Sequence, residues 1–343
     1  MGRLSSWLPL VFVGLVGCGG SAPPPLRGSS PPLPPPPVAG VPPTAAPIEA
    51  PIAAPTAEVG PTADHAPRAV RRLARHSRYA PRQSGLTPAQ RRSIQVNCPD
   101  GAPREAPSWG HGPTQIVARD GYALRHSAVD LIPLWVCEGV AKAQVDGPLR
   151  RPRNEPFGPD PEIPKGQRAE LADYKRSGFD RGHMAPSADQ TVDARRQAET
   201  FFLSNMAPQV GSGFNQHVWK QLEDKAREWI RAAGKGHIVT GPIFYDPEED
   251  DPATADGQIE YTIIGDNAVA VPTHFYKIVV VTEGGRRKAI AFVFENRKHR
   301  SPHDWPSFIQ SIDWIEERTG LDFMPDLNPV EQQRLESQPA AMW

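Results

Sequence analysis

The sequence predicts an α+β fold with a central antiparallel sheet and flanking helices. Between about residue 96 and residue 330, strand-like apolar runs follow one another, with only a few helical segments between them. This order is typical of α+β proteins. Two of the runs, residues 275–282 and 288–295, are separated by Gly284-Gly285, which favours a hairpin turn. One segment, residues 216–233, carries the clearest helical periodicity.

The first strands are predicted at residues 122–128 and 131–140, as a hairpin with Asp130 near its turn. Residues 141–177 contain several prolines and show little periodicity, so we expect a long loop there. The short apolar run at residues 201–206 is expected to form another strand.

In the second half of the chain, Gly234 is expected to end the helix of residues 216–233. An acidic loop is predicted between residues 246 and 256. Gly320 should end the last predicted helix. The remaining predicted elements are a strand at residues 237–244, the two strands of the Gly284-Gly285 hairpin, and a helix at residues 306–318.

The N-terminus has the three parts of an export signal. Arg3 provides the positive start, residues 7–16 form an apolar run, and the run ends in Leu15-Val16-Gly17-Cys18. This ending resembles the lipoprotein box of bacterial lipoproteins, in which the cysteine is lipidated. The resemblance implies an exported protein that Cys18 anchors to a bacterial cell membrane, on its periplasmic or surface face. A plain secretory signal is the alternative.

The chain divides into four predicted segments. Residues 1–18 form the signal, and residues 19–95 a disordered linker that is rich in Pro and Ala and ends in a basic stretch. The basic residues 68–78 suit either a solvated linker or a short amphipathic helix on lipid or nucleic acid. The globular domain is expected at residues 96–330, followed by a tail of residues 331–343.

The charge is distributed unevenly. The 343 residues carry a formal net charge of −1. Residues 1–95 hold ten Arg or Lys against three Asp or Glu, and residues 96–343 hold 28 against 36. A protein that coats nucleic acid through its bulk charge should be basic. The acidic globular part therefore argues against such a protein, and favours an enzyme with a local positive cluster.

Three cysteines are present, Cys18, Cys98 and Cys137. If Cys18 is lipidated, Cys98 and Cys137 remain as a candidate disulfide, which would stabilise the fold by roughly 3–4 kcal/mol. Two free, buried thiols are the alternative.

The densest polar cluster is Asp180-Arg181-Gly182-His183. Gly182 allows close backbone approach to a ligand, the Arg181 guanidinium suits phosphate oxygens, and His183 can accept a proton from water. These properties fit phosphodiester hydrolysis, although the tetrapeptide alone is weak evidence.

Further motifs strengthen the prediction. Asp180-Arg181-Gly182-His183 lies in a longer motif, residues 178–186, which is followed by residues 201–209 and by Phe214-Asn215-Gln216-His217 with Glu223 downstream. Together these segments resemble the DNA/RNA non-specific endonuclease family of ββα-metal nucleases. The resemblance covers roughly residues 95–330. It implies a β-hairpin-plus-helix metal site at one edge of the sheet, and DNA or RNA as the substrate.

The resemblance also implies roles for single residues. His183 matches the general base, and Asn215 the direct protein ligand of Mg²⁺, for which Mn²⁺ could substitute. Glu223 matches the acid that holds the metal through water, and Arg181 a phosphate or structural arginine. Arg153 matches the arginine that contacts the scissile phosphate. No protein partner is implied.

Each of these residues has a structural alternative. His183 could be a core histidine, Asn215 a helix cap, and Glu223 a solvated helix residue. Arg181 could pair with Asp180, and Arg153 could belong only to a basic run. Asn205, which is polar within an apolar run, is expected to shape the site through hydrogen bonds.

The predicted reaction is attack of a water, deprotonated by His183, on phosphorus, with little sequence preference because the contacts are to phosphate. Two other functions remain open. The chain could be a catalytically inactive nucleic-acid-binding lipoprotein, or a phosphodiesterase for a non-polymeric substrate.

Overall fold

The computed structural model describes residues 68–73, 85–106, 111–300 and 305–343. The predicted export signal with Cys18, and the first part of the predicted linker, lie outside the described residues. Within those residues, no helix has the length and apolar character that crossing a bilayer requires.

The strands are, in chain order, β1 Arg68–Leu73, β2 Arg104–Glu105, β3 Thr114–Ala118, β4 Ala123–Ser127, β5 Pro133–Ala141, β6 Phe179–His183, β7 Met206–Val210, β8 Lys235–Ile243, β9 Gln258–Ile264, β10 Val269–Val271, β11 His274–Glu283, β12 Arg286–Glu295, β13 Ile309–Gln310 and β14 Leu321–Asp322. The helices are α1 Pro88–Asn97, α2 Lys142–Val145, α3 Leu171–Tyr174, α4 Ala194–Glu199, α5 Lys220–Ala233, α6 Ile312–Thr319 and α7 Pro329–Glu336.

A seven-stranded sheet, in the order β13-β12-β11-β8-β5-β4-β3, forms the centre of the fold. Every pairing in it is antiparallel, which confirms the predicted fold class. The predicted hairpins are present as β4–β5 and β11–β12. Gly284 and Gly285 both have positive φ, 57° and 79°, as a tight turn between twisted strands requires.

Side chains of β11 alternate between two apolar layers. Phe275, Val279 and Val281 belong to the layer that contains the buried face of α5. Tyr276 and Ile278 belong to the layer on the opposite face, which contains buried residues of α6. The central sheet is therefore covered on both faces, and α5 covers the face that carries the candidate site.

A smaller unit of two strands and a helix lies beside the central sheet. β6 and β7 pair antiparallel, with His183 opposite Met206. The chain then enters an irregular helical segment, Gly211–Trp219, which is kinked at Ser212 and Gly213 and continues directly into α5. Gly213 has a φ of 85°, and an added Cβ would lie 2.4 Å from the Cγ of Lys298. Glycine is therefore required where the chain turns from the strand into the helix.

The strand predicted at residues 201–206 is wrong in most of its length. Residues Leu203–Asn205 form a 3₁₀ turn, and the strand begins only at Met206. The amide of Asn205, which is fully buried, explains the turn, because it donates to the carbonyl oxygens of Ala185 (2.9 Å) and Thr200 (2.8 Å). Its Oδ1 accepts from the backbone N–H of Ala185 at 3.0 Å. Asn205 thus shapes the site through hydrogen bonds, as its position in the sequence suggested.

The structure also differs from the predicted segment boundaries. α1 begins at Pro88 behind the capping residue Thr87, inside the predicted linker. Within the basic stretch, Arg68–Leu73 is a strand paired with β9 and not a helix or solvated coil. At the other end, α7 and the aromatic ring of Trp343 belong to the folded body, since Trp343 contacts Trp229 with 5.2 Å between ring centroids. Amphipathic segments this short give little periodicity to detect.

Cys98 and Cys137 lie together, as the predicted disulfide requires, but the structure holds them as free thiols. Both are buried, and burial raises the pKa of the Cys98 thiol well above its usual range. Because the thiolate is the reactive form, this environment disfavours oxidation.

Candidate active-site cleft

A cleft of about 1000 Å³ opens between the β6–β7 pair and α5. Four of the residues singled out from the sequence line it, namely Arg181, His183, Asn215 and Glu223. The fold therefore brings together residues that are up to 42 positions apart in the chain, from Arg181 to Glu223.

His183 ends β6 at the base of this cleft and is 6% exposed. Its ring is enclosed by Phe201 and Phe157, with centroids 5.1 and 5.7 Å away. Among the described residues, Nε2 has no hydrogen-bond partner. A buried core histidine normally has its ring nitrogens satisfied. The unpartnered Nε2 in a cleft therefore favours a functional role over a purely structural one.

Burial lowers the pKa of His183 to about 3, and the nearby Arg151 and Arg181 guanidinium groups contribute to the shift. The imidazole is therefore neutral near pH 7 and can accept a proton. A phosphodiester anion bound beside the two guanidinium groups would offset their charge and raise this pKa, towards the range in which a general base is effective.

Asn215 is held by Asp180. The Nδ2 of Asn215 donates to Oδ2 of Asp180 at 2.9 Å, and the neighbouring Gln216 donates to the same oxygen at 2.9 Å. Because the amide nitrogen is engaged in this way, the carbonyl oxygen Oδ1 is the atom that this cleft-lining side chain can offer to a metal ion. The Asn215 side chain bonds to Asp180 and does not cap the helical segment, so the capping alternative is not supported.

Glu223 reaches the cleft from the first turn of α5. Burial raises the pKa of its carboxyl to about 7, an effect that Lys277 and Arg227 oppose. Glu223 is therefore not a solvated residue on an outer helix face.

A buried charged network lies beneath Glu223, and sequence analysis did not find it. Lys277 is 1% exposed and donates to the Oγ1 of Thr240 at 2.7 Å. Arg227 pairs with Asp189 at 2.7 Å. Glu138 is 1% exposed, and neither of its carboxylate oxygens has a hydrogen-bond partner among the described residues. The sequence signal was a charged residue within an apolar strand, Lys277 in β11 and Glu138 in β5.

Arg181 lies with its guanidinium 4.0 Å from the centroid of the Phe157 ring. The neighbouring Asp180 accepts from Asn215 and Gln216 instead, so the proposed Asp180–Arg181 ion pair is not the arrangement found in the described part of the chain. Gly182 was expected to admit a ligand. Its position is instead covered by Gln209, because an added Cβ would lie 2.1 Å from the Oε1 of that residue.

The role predicted for Arg153 stays a prediction. Arg151 and Arg153 are both exposed, but Arg151 and its neighbour Arg150 line the cleft and Arg153 does not. The Arg151 guanidinium lies 5.6 Å from the centroid of the Phe201 ring and pairs with Glu155 at 2.5 Å. The sequence of the basic run does not reveal which of its arginines line the cleft.

Positive charge is concentrated at the cleft although the globular part is acidic. The lining contains seven basic side chains and four acidic ones. The basic residues are Arg150, Arg151, Lys175, Arg181, Lys220, Arg227 and Arg231. Such a local cluster suits a polyanionic ligand.

Comparison with known proteins identifies the relatives of this fold and cleft. Residues 104–329 match the family described as DNA/RNA non-specific endonuclease. The chain is 35% identical to Nuclease C1 of Cunninghamella echinulata var. echinulata over 214 residues, which cover 61% of this chain and 82% of the relative. It is 35% identical to human mitochondrial Endonuclease G over 219 residues, covering 63% of this chain and 71% of the relative. The crystal structure of the EndoG/EndoGI complex superposes with a TM-score of 0.62 at 31% identity, covering 71% of this chain and 95% of that chain.

Proposed function

Because the chain belongs to the DNA/RNA non-specific endonuclease family and is a nuclease, we propose that it hydrolyses the phosphodiester backbone in the cleft around His183. His183 acts as the general base, and Asn215 and Glu223 hold a divalent metal ion. The observation that carries this assignment is the buried, unpartnered Nε2 of His183, a residue that lines the cleft together with Asn215 and Glu223.

The side chains at the cleft fit a magnesium ion. Asn215 offers a neutral amide oxygen whose partner nitrogen is fixed by Asp180, and Glu223 offers a carboxylate on the same cleft. Mg²⁺ prefers oxygen ligands and keeps several waters, so one direct ligand and one acid that binds waters is a suitable set. When bound, the ion would stabilise negative charge on the phosphoryl and leaving oxygens. Mn²⁺ has similar ligand preferences.

His183 removes a proton from the attacking water through Nε2, and the aromatic walls exclude competing solvent. Arg151 and Arg181 bind the non-bridging phosphate oxygens and orient the diester for in-line attack. Since these groups contact phosphate, cleavage has little sequence preference. Arg151 takes the role that the sequence suggested for Arg153.

A comparison of two variants tests the choice of arginine. Arg151→Ala should lower cleavage by roughly tenfold to a hundredfold, the range expected when a charged hydrogen bond to substrate is lost. Arg153→Ala removes the same charge outside the cleft and should cleave within about twofold of wild type, as expected for a screened surface charge. Equal losses in both variants, or a larger loss in Arg153→Ala, would contradict the assignment.

A single assay tests the function itself. Purified protein is incubated with double- and single-stranded DNA and RNA, with magnesium and with chelator. Internal cleavage that chelator abolishes is the expected result. Binding without cleavage would indicate a catalytically inactive binding protein. Hydrolysis of small diesters without polymer cleavage would indicate another phosphodiesterase.

We also propose that the protein is exported and anchored to a bacterial membrane through a lipidated Cys18. The support is the sequence alone, namely Arg3, the apolar run and the ending Leu15-Val16-Gly17-Cys18. Multiple acyl chains give stable anchoring because each buried methylene contributes about 0.8 kcal/mol. Mass spectrometry of the mature N-terminus should show an acylated cysteine. A mature chain that starts at another residue and carries no lipid mass would refute the proposal.

A further inference from the structure

Three carboxylates away from the cleft form a second cluster, the acidic cluster of Asp313, Glu316 and Glu336. One oxygen from each residue lies within 4.8 Å of the other two. Asp313 and Glu316 are three positions apart on α6 and therefore share a face of that helix. Glu336 is the last residue of α7. None of the three lines the candidate active-site cleft.

Glu336 is the buried member of the acidic cluster. This residue is 3% exposed, and its Oε1 has no hydrogen-bond partner among the described residues. No basic side chain of the described segments lies within ion-pair distance of any of the three carboxylates. Burial, followed by the charges of Glu316 and Asp313, raises the pKa of Glu336 to about 9. The cluster therefore combines a buried, unsatisfied oxygen with three acidic groups that no basic side chain of the described segments neutralises.

We propose that the acidic cluster binds a calcium ion, which joins the C-terminal helix α7 to α6. The three oxygens lie within 4.8 Å of one another, so one ion can reach all of them. Calcium takes six to eight oxygen ligands, carboxylates among them, at about 2.3–2.6 Å in flexible geometry. Magnesium is usually bound through only one or two carboxylates and keeps several waters, and zinc favours nitrogen or sulfur ligands.

The burial of the three residues also suits calcium. Glu336 is buried, Glu316 is half-buried and Asp313 is exposed, so the ion would lie at the surface with water completing its coordination. The Oε1 of Glu316 is already fixed by the backbone N–H of Phe323 at 2.7 Å, which leaves its other oxygen for the ion. This inference does not depend on the proposed nuclease mechanism.

Terbium luminescence provides the direct test, because Tb³⁺ replaces calcium and Trp314, beside Asp313 on α6, can sensitise its emission. The experiment uses the full-length protein with the substitution Asn215→Ala, which removes the proposed ligand of the cleft metal. We expect sensitised emission that calcium displaces. The added change Glu336→Gln should weaken terbium binding by about tenfold or more, because one of three charged ligands is lost.

Glu317→Gln is the matched control. Glu317 lies on the same helix, but its side chain is 77% exposed and pairs with Arg318 at 2.9 Å. Its loss should leave terbium binding unchanged. Equal emission from the Glu336→Gln and parent proteins would overturn the proposal, and so would emission that calcium does not displace.

Thermal unfolding keeps the test independent of folding defects. Millimolar calcium should raise the Tm of the Asn215→Ala protein by roughly 2–4 °C, and magnesium should raise it less. Without calcium, the Glu336→Gln protein should be at least as stable as its parent, because the change removes a carboxyl whose ionisation is disfavoured by burial and by its acidic neighbours. Calcium should then leave the Tm of the Glu336→Gln protein unchanged. If the parent protein shows no calcium shift, the carboxyls share a proton instead of a metal ion, and the proposal fails.

Discussion

The hydrogen bond between Asp180 and Asn215 predicts that magnesium binding depends on Asp180, although Asp180 itself is not proposed as a metal ligand. Oδ2 of Asp180 accepts from both Asn215 and Gln216 at 2.9 Å, and this contact fixes the amide nitrogen of Asn215 and leaves its Oδ1 free of Asp180. In Asp180→Asn, an uncharged amide must replace the carboxylate that both donors share. Hydrogen bonds to a charged group contribute about 1.5–3 kcal/mol, which corresponds to roughly tenfold to a hundredfold in affinity.

The assay is a magnesium titration of the initial cleavage rate. Asp180→Asn should shift half-saturation to roughly ten to a hundred times more magnesium, while the rate at saturation stays within a few-fold of wild type. Removing a negative charge could weaken cation binding without any change in the position of Asn215, so the experiment needs a charge-matched control.

Asp224→Asn supplies that control. Asp224 lines the same cleft, but its carboxylate pairs with Lys220 at 2.6 Å and with Arg227 at 2.6 Å, and not with Asn215. The cleavage rate of Asp224→Asn should depend on magnesium nearly as that of wild type does. If Asp180→Asn needs no more magnesium than wild type, or no more than Asp224→Asn, Asp180 does not position the metal ligand.

Three further outcomes follow from the cleft and the core. His183→Ala should lower the cleavage rate by at least about a hundredfold, the usual effect of losing a general base, while circular dichroism shows an intact fold. Asn215→Ala should abolish most activity at any practical magnesium level, whereas Glu223→Gln should retain part of it, because an amide can still bond metal waters; a magnesium titration of both distinguishes them. Burial lowers the pKa of His126 to about 4, so this histidine takes up a proton near pH 6.5 in the unfolded chain but only near pH 4 in the folded chain. Its contribution to the free energy of unfolding is therefore fully present above pH 6.5, and about 2–3 kcal/mol of it is lost by pH 4.5. Urea unfolding should show a smaller loss in His126→Gln.

Local patterns were sufficient for the parts of the fold in which neighbouring residues determine the structure. The alternating strands around Gly284-Gly285 and the apolar stripe of α5 were both confirmed. The segment before Met206 was not predicted, because Asn205 bonds to the backbone of Ala185, 20 positions away. Arg153 and Arg151 have similar sequence surroundings, and only the path of the chain places Arg151 at the cleft.

The buried network around Lys277 shows most clearly what the sequence could not supply. Lys277 lies in the middle of β11, on the face that carries Phe275 and Val279, and periodicity alone assigns an apolar residue to that position. A buried ammonium is costly unless negative charge lies near it. Glu223 and Glu138 provide that charge, from a helix and a strand distant in sequence. In return, the positive charge opposes the rise in the pKa of Glu223 and favours the ionised carboxylate. The same carboxylate is the one proposed to hold metal waters, so a lysine that does not line the cleft supports the charge on which metal binding depends.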